Sequence, residues 1–214
     1  MEQNFENAPK TPLALLIAVA TGEYDAESSL SELFELAKSA GAEPVSAITQ
    51  NLDRPESATY VGSGKLEEIA EFAKNEEIEL LIFDCELSPT QIRNIEEKTD
   101  VRTIDRTMLI LDIFALRANS REGKLQVELA QLKYLLPRLT GKGIEMSRLG
   151  GGIGTRGPGE TKLETDRRHI RRKIEQIKAQ LLQVEQHRNR LRTRRKKEGT
   201  ITVALVGYTN AGKS

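Results

Sequence analysis

Cysteine is almost missing: Cys85 stands alone among 214 residues, so neither a disulfide framework nor a cysteine metal cluster can be built. Its place at the end of an apolar run predicts a small, half-buried side chain. Long apolar runs are missing as well. No stretch reaches 18 apolar residues, which excludes a membrane-spanning helix. The opening MEQNFENAPK is acidic and polar and lacks the basic start of a secretory signal. A cytoplasmic location is expected. Net charge is absent too, with 32 Lys and Arg against 32 Asp and Glu, but the balance is local rather than uniform. Residues 1–120 carry 10 basic side chains against 23 acidic ones, and residues 121–214 carry 22 against 9. Such a division fits two regions with different tasks, the second facing an anionic partner such as nucleic acid. Attraction between the two halves would explain it equally.

What is present in residues 1–120 is an alternation of short apolar runs with helical patterns. Leu13–Ala20 (LALLIAVA), 45–48, 78–83 (IELLIF) and 101–104 predict strands. Between them, 28–40 puts Leu30, Leu33, Phe34 and Ala37 on one helical face, and 64–74 does the same with Leu66, Ile69, Ala70 and Ala73. Ser88 followed by Pro89 predicts a capped helix start, and 107–118 a further apolar-faced helix. Alternating strands and helices predict an α/β domain with a parallel sheet. Gly62-Ser63-Gly64-Lys65 resembles a miniature phosphate loop, but Leu66 follows the lysine, so helix initiation competes with a weak nucleotide (ATP) site. Asp84, just past a strand, is open to the same two readings, loop cap or ligand group.

From Arg121 the pattern becomes helical throughout. Leu125, Leu129, Leu132, Leu136 and Leu139 recur at spacings of 4 and 3. In 160–197, Leu163, Ile170, Ile177, Val184 and Leu191 stand seven apart, with Ile174 and Leu181 between, while Arg167 and Arg188 interrupt the seam. Two seams joined by one loop predict a long antiparallel helical hairpin over 121–199. Its connecting loop, 141–159, holds 8 of the 16 glycines together with Lys142, Arg148 and Arg156 and no aromatic residue. Glycine permits close backbone approach to a ligand, so this segment reads either as a functional tip or as a passive linker. The second helix carries 14 Lys and Arg against 5 Asp and Glu across 160–197. One basic cluster holds Arg167, Arg168, Arg171, Arg172 and Lys173, and a second spans 188–197. A solvated helix face is normally mixed in sign, so RNA contact is expected. His169 and His187 have no ligand-spaced partners and are expected to be solvated.

Residues 201–206 (ITVALV) predict a buried strand leading into Gly207, Tyr208, Thr209, Asn210, Ala211, Gly212, Lys213 and Ser214. This is the phosphate-loop pattern of a glycine, four residues, then Gly-Lys-Ser/Thr after a strand. Backbone N–H groups would cradle the phosphates, Lys213 would reach the β- and γ-oxygens, and Ser214 would place a hydroxyl on Mg²⁺. The Asp-x-x-Gly and Asn-Lys-x-Asp elements of a GTPase do not occur in residues 1–206. Residues 200–214 are therefore expected to start a G domain whose other elements lie elsewhere, and this chain alone is expected neither to bind nucleotide tightly nor to hydrolyse it.

Taken in order, TYVGSGK at 59–65, GGIGTRGPGETKLETDRR at 151–168 and GYTNAGKS at 207–214 resemble the HflX family of ribosome-associated GTPases. The resemblance implies an N-terminal α/β domain, a helical-hairpin linker, and a G domain from about Thr200 that uses GTP and Mg²⁺. It also implies binding to the large ribosomal subunit and its ribosomal RNA, with some members splitting ribosomes under stress. The basic hairpin and its tip would meet that RNA, which singles out Lys142, Arg148, Arg156, Arg167, Arg168, Arg171 and Arg172. A monomer is expected. GTP in place of ATP follows from the resemblance alone. A non-enzymatic RNA-binding module is the competing reading.

Overall fold

The computed structural model describes residues 11–22, 25–139, 162–199, 201 and 203–208. Its centre is β1 (Leu13–Ala20), whose run of eight residues is buried at all but its two ends. Parallel strands flanked by helices on both faces need such continuous apolar runs. β2 (Glu43–Asn51), β3 (Leu80–Phe83) and β4 (Arg102–Asp105) complete a sheet of order β2-β1-β3-β4. Every pairing is parallel. β2 is longer than the 45–48 that its apolar residues predict, because it pairs with β1 from Leu13–Glu43 to Ala20–Asn51. Backbone pairing, not apolar content, sets the length of this edge strand. β3 is shorter than predicted: Ile78 is buried ahead of the strand.

Helices cover both faces. On one side α2 (Ser63–Asn75) and α3 (Pro89–Thr99) bury Leu66, Ile69, Ile92 and Ile95 against Leu15, Ile17 and Val19 of β1. On the other, α1 (Ala26–Ser39) and α4 (Arg106–Arg117) bury Leu33, Ala37, Met108 and Leu109 against Ala14 and Leu16. Alternate residues of one strand thus feed two cores. Short polar side chains start these helices. Asp25 accepts from the amides of Glu27 and Ser28, and Ser88 forms a reciprocal capping box with Gln91 behind Pro89.

The chain then leaves the sheet. α5 (Arg121–Leu135), capped by Ser120, packs on α4 and runs into a 3-10 turn at Leu136–Arg138. α6 (Lys162–Lys197) is 36 residues in length, or about 54 Å at 1.5 Å per residue. Leu125, Leu132 and Leu139 bury against Ile170, Ile174 and Ile177, with Leu129, Leu136 and Leu181 at the margin. The contacts between the two segments run in opposite sequence order: Glu122 pairs with Arg188, Glu128 with Lys173, and the carbonyl of Leu139 with Arg167.

The seven-residue seam is buried at Ile170 and Ile177 but not at Leu191, because α5 begins at Arg121: all residues from 185 to 199 are exposed. One expectation needs correction. The described residues 201 and 203–206 do not form the expected buried strand. Ile201, Val203, Leu205 and Val206 are 80–93 % exposed, and no strand includes them. A strand exists only where a neighbour completes its hydrogen-bond ladder, and no described segment pairs with this one. Residues 141–159 lie outside the described residues.

Candidate nucleic-acid interface

The basic surface is carried by α6, and the buried seam decides which of its residues can reach a partner. Ile170, Ile174 and Ile177 occupy one face against α5, so residues at other helical angles project outward. Arg168, Arg171 and Arg172 are exposed, and so are His169 and His187. Arg167 differs: it is half-buried and donates to the carbonyl of Leu139 at 3.0 Å, which ties the start of α6 to the end of the α5 segment. Lys173 is held by Glu128 at 2.6 Å. The expected first cluster therefore divides into Arg168, Arg171 and Arg172, which project, and Arg167 and Lys173, which also fasten the two helices. Lys142, Arg148 and Arg156 lie outside the described residues. Of the phosphate loop, Gly207 and Tyr208 are described and exposed, while Thr209, Asn210, Ala211, Gly212, Lys213 and Ser214 are not among the described residues.

A second constellation holds this helical pair to the sheet domain, and sequence reasoning did not find it. Asp105 ends β4, is fully buried, and caps α4 by accepting from the Met108 amide at 2.8 Å. Its other oxygen accepts from the Leu87 amide at 3.1 Å and from the Tyr134 hydroxyl of α5. The Arg138 guanidinium lies 3.8 Å from the same oxygen, stacks 3.5 Å above the Tyr134 ring, and donates to the carbonyls of Tyr134 and Leu87 at 3.1 and 2.8 Å. Burial, reinforced by the hydrogen bond to Asp105, raises the Tyr134 pKa far above the usual phenol value. One carboxylate thus joins a strand, a helix start, a loop and the base of the helical pair. The available signal was an acidic residue ending a strand just before a helix, a cap pattern; the partners lie too far along the chain to be read.

At the two places in the sheet domain open to a nucleotide reading, the structure shows structural contacts. Gly62 is the N-cap of α2, its amide donates to Gln50 Oε1 at 2.9 Å, and Lys65 pairs with Glu68 at 2.6 Å. Asp84 lies where the strand order reverses between β1 and β3, but its side chain is buried and takes Arg106 at 2.6 Å. Burial disfavours the Arg106 charge, yet hydrogen bonds to Asp84 and Glu32 outweigh it and raise the pKa. Cys85 is half-buried, and burial with the carboxylates of Asp105, Asp84 and Glu86 lifts its pKa to about 12, against a smaller lowering by Tyr60. A thiol so protonated is a poor nucleophile. Among the described residues no group of three His, Cys, Asp or Glu side chains is placed to hold a metal ion.

Comparison with known proteins places this architecture. Residues 27–115 match the family described as GTP-binding GTPase N-terminal, and residues 117–195 match the GTP-binding GTPase middle region. The chain is 60% identical over 188 residues to the GTPase HflX of Alkalihalophilus pseudofirmus, covering 88% of this chain and 44% of that protein. It is 57% identical to the GTPase HflX of Caldanaerobacter subterraneus (94% and 47% covered) and 51% identical to that of Escherichia coli (91% and 45%). The chain spans about half the length of the curated relatives it matches. A GTP-binding protein from the archaeon Sulfolobus solfataricus, solved with GDP, superposes with a TM-score of 0.56 at 25% identity, covering 82% of this chain and 46% of that one. The crystal structure of SsGBP with GDP superposes at 0.60, also at 25% identity, with 92% and 48% covered. The sheet domain, the paired helices and these matches together establish that the chain belongs to the HflX family of GTPases and carries its N-terminal and middle regions.

Proposed function

We propose that residues 1–199 are the ribosome-binding apparatus of a GTPase, with 1–120 as an α/β body, 121–199 as an antiparallel helical hairpin, and 200–214 as the start of its G domain. The carrying observation is the outward face of α6, where Arg168, Arg171 and Arg172 stand exposed on a helix clamped by its apolar seam to α5. A rigid basic rod of this kind neutralises phosphates without reordering, so little conformational entropy opposes binding. The partner in this reading is the large ribosomal subunit and its ribosomal RNA. The glycine-rich 141–159, with Lys142, Arg148 and Arg156, acts as the tip, and splitting or rescue of stalled ribosomes under stress is the physiological outcome.

In the same reading Gly207 through Ser214 hold the phosphates of GTP, with Ser214 on Mg²⁺. Elements outside this chain supply guanine recognition and the hydrolytic water. The assignment of GTP is supported by the names of the relatives and by the GDP bound in the solved neighbours. Co-sedimentation tests the ribosome reading. The chain should pellet with isolated large subunits at low salt and be released steeply as salt rises, and R168Q/R171Q/R172Q should be released at lower salt. Binding indifferent to salt, or equal for the triple variant, would count against it.

A further inference from the structure

Opposite the edge that carries Asp84 and Asp105, where its strands start, the sheet domain has a groove of about 670 Å³. α2 ends at Asn75 and α3, packed beside it, at Thr99, and the groove lies between these two ends. Its floor is apolar: Ala70, Ala73, Ile78 and Val101 line it, with Ala73 and Ile78 buried. Its rim is acidic, because Glu71, Glu77 and Asp100 line it and are exposed. None of the three has an ion-pair partner among the described residues. The lining lysines are Lys74 and Lys98, and Lys98 is held by Glu67 at 3.0 Å. The rim is therefore negative on balance.

Local structure does not account for this charge. A helix C-terminus presents unpaired carbonyls and the negative end of the helix dipole, which favours cations. Two such ends converge on the groove, yet acids follow both: Glu76 and Glu77 after α2, and Asp100 after α3. Glu77 and Asp100 also hold left-handed backbone, at φ 51° and 56°, a conformation that glycine takes most easily. Carboxylates and helix ends thus add to one negative potential. Such a potential repels phosphates, so this face suits a partner that the basic face of α6 would reject. The carboxylates are too dispersed for a divalent ion, since among the described residues no three such side chains are placed to hold a metal. A negative rim over an apolar floor matches lysine and arginine, whose stems are aliphatic and whose heads are cationic. We infer that the groove between the ends of α2 and α3 docks an extended lysine- and arginine-bearing segment of a partner protein, on a surface separate from the basic face of α6.

The test titrates a fluorescein-labelled peptide of repeated Lys-Ala-Arg-Ala units with the whole chain and reads fluorescence anisotropy. Binding should saturate at one peptide per chain. E71Q/E77Q/D100N should weaken it on the order of tenfold, about twofold for each exposed ion pair lost. E27Q/E35Q/D53N removes as many acids elsewhere on the body and should change affinity by less than about twofold. A70F fills the floor of the groove without changing the charge, and it should weaken binding as well. If either groove variant loses helix content by circular dichroism, E71Q/D100N and A70L make the same comparisons, the former with a change of about fourfold. Equal loss in the two triple variants overturns the inference, because the peptide then reads overall acidity. Full affinity after filling the floor overturns it too. So does self-association that E71Q/E77Q/D100N abolishes, which gives the groove to a second copy of the chain. The probe is a basic peptide, so failure of subunit co-sedimentation leaves this inference standing, and failure here leaves the ribosome reading standing.

Discussion

At the residue scale, Asp105 does the most with one side chain. It is fully buried and accepts from Met108, Leu87 and Tyr134. Removing the Tyr134 hydroxyl in Y134F should cost about 2 kcal/mol in urea unfolding, the usual worth of a hydrogen bond to a charged group. D105A should cost more, since it also leaves the Arg138 guanidinium beside an unpaired pocket. Cys85 supplies a pH prediction. Its pKa is 9.0 when exposed and about 12 in the fold, so the folded state keeps a proton that the unfolded chain gives up. The stability it contributes is complete below pH 9 and is lost as pH rises toward 12. C85A should therefore flatten the alkaline limb of a stability–pH curve. Iodoacetamide at pH 8 should label Cys85 in the native chain far more slowly than after unfolding.

At the element scale, most of the fold could be read from periodicity because each helix and strand answers to its own apolar spacing. Leu13–Ala20 and the Ser88–Pro89 cap stand where the residues place them. What could not be read depends on partners. The length of β2 follows from β1, and the joint at Asp105 unites residues 29 positions apart, as in the bond from Tyr134. Residues 201–206 have strand-like apolarity, but local sequence does not state whether a neighbouring strand exists. Among the candidate RNA-contacting residues, exposure on α6 was legible at Arg168, Arg171 and Arg172, whereas the fastening roles of Arg167 and Lys173 required α5 to be in place. The α5–α6 seam gives a further expectation. Leu132 is almost fully buried in it, so L132A should cost about 2–5 kcal/mol and lower the melting temperature of the helical signal. Hydrogen exchange should show amides of 170–181 protected and those of 189–197 exchanging early, because only the former stretch is packed against α5.

At the scale of the whole molecule, an acidic sheet body and a basic helical pair are held together as one object. The helical pair meets the body through α5, and the polar contacts between them concentrate near residues 131–138, where Gln131 donates to Asp112 at 2.8 Å and Tyr134 and Arg138 gather around Asp105. Lys197 lies thirty residues beyond Arg167, roughly 45 Å along the helix axis. The joint is therefore a fulcrum and α6 a lever. A tilt of about 5° at the fulcrum would sweep the far end through about 4 Å, more than the length of a hydrogen bond. One buried carboxylate at the base thereby sets the aim of a positively charged arm several times longer than the joint itself.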